Sequence, residues 1–147
     1  MLTNRRQIQI EWGHCDAAGT VFYPRYLEYV DASTNALFAK AGLFKPVLLK
    51  TYGLAGLVVV DLRARFMVAS DFGDVVEIES SIPEWGRSSF LVHHKIFRPD
   101  GGLGVEVFER RVWAVRIANE GPVQFATRPI PEEVKQKFTH PVGVSAD

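Results

Sequence analysis

The chain has 147 residues, 47% of them hydrophobic and 23% charged, which is the make-up of one folded globular domain and excludes a disordered polyampholyte. Seventeen basic residues balance seventeen acidic ones, so no general field exists to recruit nucleic acid or an anionic membrane, and any anionic ligand must be gripped locally. No apolar run approaches the ~20 residues that span a bilayer, and the single cysteine, Cys15, excludes both an internal disulfide and a cysteine zinc cluster.

Ile8, Ile10 and Trp12 alternate with Gln7, Gln9 and Glu11, a period of two that predicts a half-buried strand over Arg6–Trp12. The same alternation lacks the continuous apolar segment of a signal peptide, and the expectation is a cytoplasmic protein. A glycine-bracketed loop, GHCDAAG, follows from Gly13 to Gly19. Pro24 suits the first position of a helix, where a missing N–H costs nothing. From there Leu27, Val30, Thr34, Leu37 and Ala41 recur every three or four residues up to a stop at Gly42. A helix over 24–41 would be about 27 Å long.

A short helical segment is predicted over Lys45–Tyr52, after which the chain turns to β. Strands are expected over Leu57–Val68, Val75–Trp85, Ser88–Arg98 and Val105–Ile117, the last two joined by the turn Pro99-Asp100-Gly101-Gly102. Gln124–Thr127 adds a short strand, and Ile130-Pro131-Glu132-Glu133 opens a last helix with acids in its first turn. Strands in sequence with short turns between them pair antiparallel, so the pattern predicts an α+β layer of one long helix on an antiparallel sheet. With no internal repeat and no dividing linker, residues 1–140 read as one domain and 141–147 as a flexible tail.

Asp16 is the first candidate for chemistry. Loop aspartates are most often caps or solvated turn residues, but this one sits just before a helix whose first-turn N–H groups, near Tyr23, are free to meet a developing oxyanion. A carboxylate and an oxyanion site side by side are what acyl transfer needs. His14 and Cys15 form a weaker alternative, because adjacent residues do not converge on one reacting atom. His93 and His94 alternate across a strand and cannot share one metal. No HExxH, Walker or GxGxxG pattern occurs, and no metal or cofactor is expected.

The run from Gly13 to Tyr26, GHCDAAGTVFYPRY, resembles the signature of the 4-hydroxybenzoyl-CoA thioesterase family. The likeness returns at Asp31-Ala32-Ser33, Ala41-Gly42-Leu43, Phe66, Asp74–Glu79 and Glu84–Phe90, in order over most of the chain. It implies a hotdog fold, an antiparallel five-stranded sheet wrapped around the long helix. It also implies acyl-CoA sites formed between the subunits of a homodimer that pairs further into a homotetramer.

By this resemblance Asp16 is nucleophile or general base, and the Tyr23 amide polarises the thioester carbonyl. Asp31 matches the acid that receives a substrate's phenolic hydroxyl, and Arg87 matches one of several basic residues that hold the CoA phosphates. Gly86 and Ser88 depart from that basic pattern, so either nucleotide binding is weaker or other basic groups, Arg63 or Arg65 among them, contribute. The residues themselves add that Phe22, Tyr23, Tyr26 and Tyr29 could form an aromatic wall, although aromatics at helical spacing more often pack in the core. The resemblance thus implies hydrolysis of an aromatic, 4-hydroxybenzoyl-CoA-like or benzoyl-CoA-like thioester. The alternatives are an aliphatic acyl-CoA or acyl-carrier-protein thioesterase and a non-catalytic acyl-CoA-binding hotdog protein.

Overall fold

The computed structural model describes residues 1–117 and 120–141; of the tail expected at 141–147, all but Pro141 lies outside them. Strand β1 (Thr3–Gln9) leads through a 3-10 turn at Trp12–His14 to helix α1 (Tyr23–Lys40) and helix α2 (Lys45–Tyr52). Strands β2 (Gly56–Phe66), β3 (Val75–Trp85), β4 (Ser89–Phe97), β5 (Leu103–Arg116) and β6 (Phe125–Thr127) follow, then helix α3 (Glu132–Thr139). No helix among the described residues is long and apolar enough to cross a membrane.

The strands form one antiparallel sheet in the order β1-β3-β4-β5-β2. Short β6 takes over the β4 side of β5, pairing Ala114 with Thr127 beyond the last β4 pair at Ser89 and Val112. Strands β3, β4 and β5 are the expected meander. β2 departs from simple neighbour pairing: it lies against β5, two strands removed from β3. The segment 67–74 therefore carries the chain about 14 Å across the sheet's end, three inter-strand spacings.

Trp12 also departs from expectation. The first strand ends at Gln9, Ile8 and Ile10 are buried, and Trp12 is exposed with its ring edge-on to Phe72 at 5.6 Å. The chain turns out of the sheet before the alternation ends, so the third apolar residue meets a loop instead of the core.

One face of the sheet receives α1. Phe90, Val92, His94 and Ile96 of β4 point inward by strict alternation, as do Val105, Val107, Glu109, Arg111 and Trp113 of β5. These residues sort into layers. Ile8, Ile10, Tyr26, Val30, Ile78, Ile96 and Val107 belong to one apolar cluster, whereas Leu37, Phe38, Ile82, Val92, Trp113 and Phe138 belong to another. Between them lie Thr34 of α1, Ser80 of β3, His94 of β4 and Glu109 of β5, each at most 2% exposed. The core is two apolar halves with a polar layer through the middle.

Candidate active site

The loop holding Asp16 is a small, fully bonded hairpin. Cys15 bridges Val21 and Thr20 bridges Asp71. The Asp16 N–H donates to Thr20 O at 3.0 Å, and Gly19 N–H donates back to Asp16 O at 3.0 Å. Gly19 sits at φ 81°, a left-handed conformation that side chains resist. The Asp16 carboxylate completes the turn, its Oδ1 accepting the Ala18 N–H at 2.9 Å and facing the Thr20 hydroxyl at 3.5 Å. Oδ2 has no partner among the described residues, and the residue is exposed. A positioned carboxylate with one spare oxygen is the result.

The crossing segment 67–74 braces this hairpin from behind. Val21 N–H donates to Ser70 O at 3.0 Å and Phe72 N–H to Gly19 O at 2.9 Å. Ser70 is itself held by its N–H donating to the Tyr26 hydroxyl at 3.0 Å. Tyr26, expected in the aromatic wall, is only 3% exposed; the three-to-four-residue period of α1 turns it into the core with Tyr29 and Val30, where it anchors the segment behind the Asp16 turn. Phe22 and Tyr23 stay outside, 48% and 60% exposed, with Tyr23 edge-on to the exposed Phe66 at 6.2 Å. Those three rings form the aromatic surface beside the hairpin.

Helix α1 starts at Tyr23, with Phe22 as its cap residue and Pro24 directly after. Proline has no N–H, and the Arg25 N–H is taken by Phe22 O at 2.9 Å. The Tyr23 N–H has no intrahelical acceptor and no partner among the described residues, so it is a first-turn donor left unused. The neighbouring Cys15 thiol is pushed up, by desolvation first and then by the carboxylates of Asp16 and Asp71, which disfavours thiolate. His14 is not aimed at it: its Nδ1 accepts the Glu11 N–H at 3.2 Å.

Asp31 lines a separate cavity of about 370 Å³ with Asn35, Lys45, Leu54, Leu57 and Arg111. Its Oδ1 accepts from Arg111 Nη2 at 2.9 Å. Neither Asp16 nor Tyr23 lines this cavity. Arg87 is exposed in the turn between β3 and β4, its carbonyl accepting the Ile130 N–H at 2.8 Å. That turn follows the far end of β3, while the hairpin adjoins its start, so the two are separated by most of an 11-residue strand, about 33 Å. A single copy of the chain places Asp16 in the hairpin that leads into the helix start at Tyr23; it does not bring Arg87 to them. Arg63 and Arg65 lie exposed on β2.

The polar layer was not singled out among the candidate residues. Glu109 Oε2 accepts from the Thr34 hydroxyl at 2.8 Å and from His94 Nε2 at 3.0 Å, and Arg111 bonds both carboxylate oxygens, Nη2 to Oε1 at 2.9 Å and Nε to Oε2 at 3.3 Å. The Ser80 hydroxyl lies 2.7 Å from His94 Nδ1, which fits a neutral ring with its proton on Nε2. Burial holds His94 below the ordinary imidazole range, outweighing Glu109. Glu109 is lowered to about 2 despite burial, because His94 and Arg111 donate to it. The signal for the layer was present: three polar side chains occupy inward positions of two otherwise apolar strand faces.

Comparison with known proteins adds to this geometry. The pattern of the thioesterase-like superfamily matches residues 10–138. The 4-hydroxybenzoyl-CoA thioesterase of Pseudomonas sp. strain CBS-3 is 35% identical over 106 residues, 71% of this chain and 74% of that one. The three-dimensional structure of that enzyme superposes with a TM-score of 0.84 at 31% identity, over 92% of this chain and 98% of that one. A gentisyl-coenzyme A thioesterase superposes with a TM-score of 0.77 at 28% identity, over 90% and 99% of the two chains.

Proposed function

This chain belongs to the thioesterase-like superfamily and is a hotdog-fold acyl-CoA thioesterase, and from that premise we propose that it hydrolyses an aromatic acyl-CoA of the 4-hydroxybenzoyl or benzoyl type. The observation that carries the mechanism is a hydrogen-bonded turn presenting Asp16 Oδ2 just before a helix whose Tyr23 N–H is unused. As nucleophile, Asp16 adds to the thioester carbonyl carbon while the Tyr23 N–H receives the oxyanion. The C–S electron pair then leaves with the CoA thiolate, and water splits the mixed anhydride to free acid and carboxylate. As general base, Asp16 takes the proton of a water that attacks the same carbon. Phe22 and Tyr23 offer ring faces to the acyl group, and Asp31 accepts a hydrogen bond from its ring hydroxyl.

Substrate chemistry is tested with a panel of acyl-CoAs on the purified protein. The expected order of kcat/KM is 4-hydroxybenzoyl-CoA above benzoyl-CoA, and both above hexanoyl- or palmitoyl-CoA. Preference for the aliphatic chains would overturn the aromatic assignment, and binding of acyl-CoA without turnover would overturn catalysis.

The site is completed by a second copy of the chain. β2 is one of the sheet's two edge strands, and Val59, Val60, Leu62 and Phe66 are all exposed along it. An edge strand with open N–H and C=O groups and exposed apolar side chains is a template for pairing with another strand. Antiparallel pairing of β2 with itself about a two-fold axis sets the start of β2 in one copy beside its end in the other. The Asp31 cavity lies at the start of β2 and Phe66 and Tyr23 at its end. Arg87 shares the first of these ends, since Ser88 O accepts from Trp113 N and Leu57 pairs Trp113. Across the seam, each hairpin thus meets the cavity and the arginine of the other copy, which accounts for their separation within one chain. Light scattering should return a particle of two or four chains, and Val60→Lys with Leu62→Lys should yield monomers with little turnover. Fully active monomers would exclude a shared site.

A further inference from the structure

We propose that Arg111 is a positioning residue for substrate selectivity: it fixes Asp31 in place to accept the ring hydroxyl, and is itself held by the polar layer of the core. The proposal rests on the reading of Asp31 given above and adds to it the device that makes an exposed acid selective. The Asp31 side chain is 63% exposed, whereas Arg111 is 5% exposed. An aspartate on an open helix face turns freely and spends its acceptor capacity on water. Here one oxygen is bonded at 2.9 Å to a buried guanidinium, and Oδ2 has no partner among the described residues.

Arg111 cannot shift to follow a ligand. Four of its five N–H groups are used, by Glu109 Oε1, Glu109 Oε2, Asp31 Oδ1 and the Leu57 carbonyl. Glu109 is fixed in turn by Thr34 and His94, and His94 by Ser80. Thr34 lies three residues from Asp31 on the same face of α1, so one helix carries both the acid and the anchor of its clamp. The chain of contacts runs from β3 through β4 and β5 to the wall of the cavity, and both Asp31 and Arg111 line that cavity.

The test compares kcat/KM for 4-hydroxybenzoyl-CoA with that for benzoyl-CoA, a ratio that a loss of folding or of general activity leaves in place. Arg111→Lys keeps the charge but loses the fork that bonds Glu109 and Asp31 together. Glu109→Gln with Arg111→Met removes the buried pair as a unit, guarding against a variant that fails to fold because one charge is stranded. Both should lower the ratio at least ~10-fold, the scale of a hydrogen bond to a charged group, chiefly through a rise in KM for the hydroxylated substrate. Asp31→Asn should lower it as far. If Asp31→Asn lowers the ratio while both Arg111 variants keep it, Arg111 does not position the acid and the proposal falls. If Asp31→Asn itself leaves the ratio unchanged, the reading of Asp31 fails, and the role of Arg111 with it.

Discussion

Replacing Asp16 with asparagine should lower kcat by at least ~100-fold on every acyl-CoA the protein accepts, the scale on which a positioned catalytic group registers. Asparagine has nearly the same shape, and its carbonyl oxygen can take over the Ala18 N–H and the Thr20 hydroxyl now bonded to Oδ1. The turn therefore survives, as do its bridges to Val21 and Asp71. What disappears is the negative charge on Oδ2, the atom that in the proposed mechanism either attacks the thioester or takes a proton from water. Because Asp16 is exposed, the exchange buries no new group, and the melting temperature should hardly move. KM should change little, since the Tyr23 amide remains. The measurement is steady-state thioester cleavage alongside a thermal melt. Undiminished turnover in a folded Asp16→Asn protein would remove Asp16 from the mechanism whatever the fold.

The elements were largely legible because their signals are local. Val75–Trp85 and Lys45–Tyr52 have the predicted boundaries, and α1 begins one residue before Pro24 and ends two before Gly42. Each is marked by a period, a proline or a glycine within a few residues. Trp12 fits the strand period yet lies outside the strand, because the alternation does not register where the backbone leaves the sheet. The position of β2 against β5 depends on which edge remains free once β3, β4 and β5 have paired, and no short window holds that information.

The same division runs through the site. Asp16, Gly19, Tyr23 and Pro24 sit within nine positions of one another, and the carboxylate, the turn and the helix start can be read together. Asp31 could be identified as an acid on a helix, but its partner Arg111 is 80 residues away and is revealed only by strand register. Arg87 shows the limit most sharply. Its type and turn fit a phosphate contact, yet the sheet sets it at the opposite end from Asp16, and a local motif cannot say whether a group acts in its own chain or in a neighbouring copy.

Glu109→Gln should destabilise the protein by about 3–5 kcal/mol, the cost of stranding one member of a buried ion pair, and lower its melting temperature by on the order of 10 °C. Glutamine removes the counter-charge of Arg111 and turns an N–H₂ group toward donors that all need an acceptor: the Thr34 hydroxyl, His94 Nε2 and the guanidinium. The pH dependence separates this cause from simple repacking. Glu109 is held at about 2 against an ordinary 4.5, so its contribution is complete above pH 4.5 and is lost as the pH falls toward 2. At 1.36 kcal/mol per unit, roughly 3 kcal/mol is at stake, the same order as the mutational cost. His94 acts in the same direction at higher pH: burial keeps it neutral below its ordinary range, so its contribution begins to fade as the pH drops below 6.5. Wild-type stability should therefore start to decline in mild acid and fall steeply below pH 4.5, while the Glu109→Gln curve lies lower at neutrality and flatter in acid. Adding Arg111→Met should restore much of the lost stability, because a buried pair replaced whole costs far less than a pair broken. Denaturant unfolding at a series of pH values measures all of this. Equal stability of wild type and Glu109→Gln at pH 7 would mean that the charges in the polar layer do not support the fold. A stable double variant with lowered selectivity would place the value of the layer in the cavity it holds in shape.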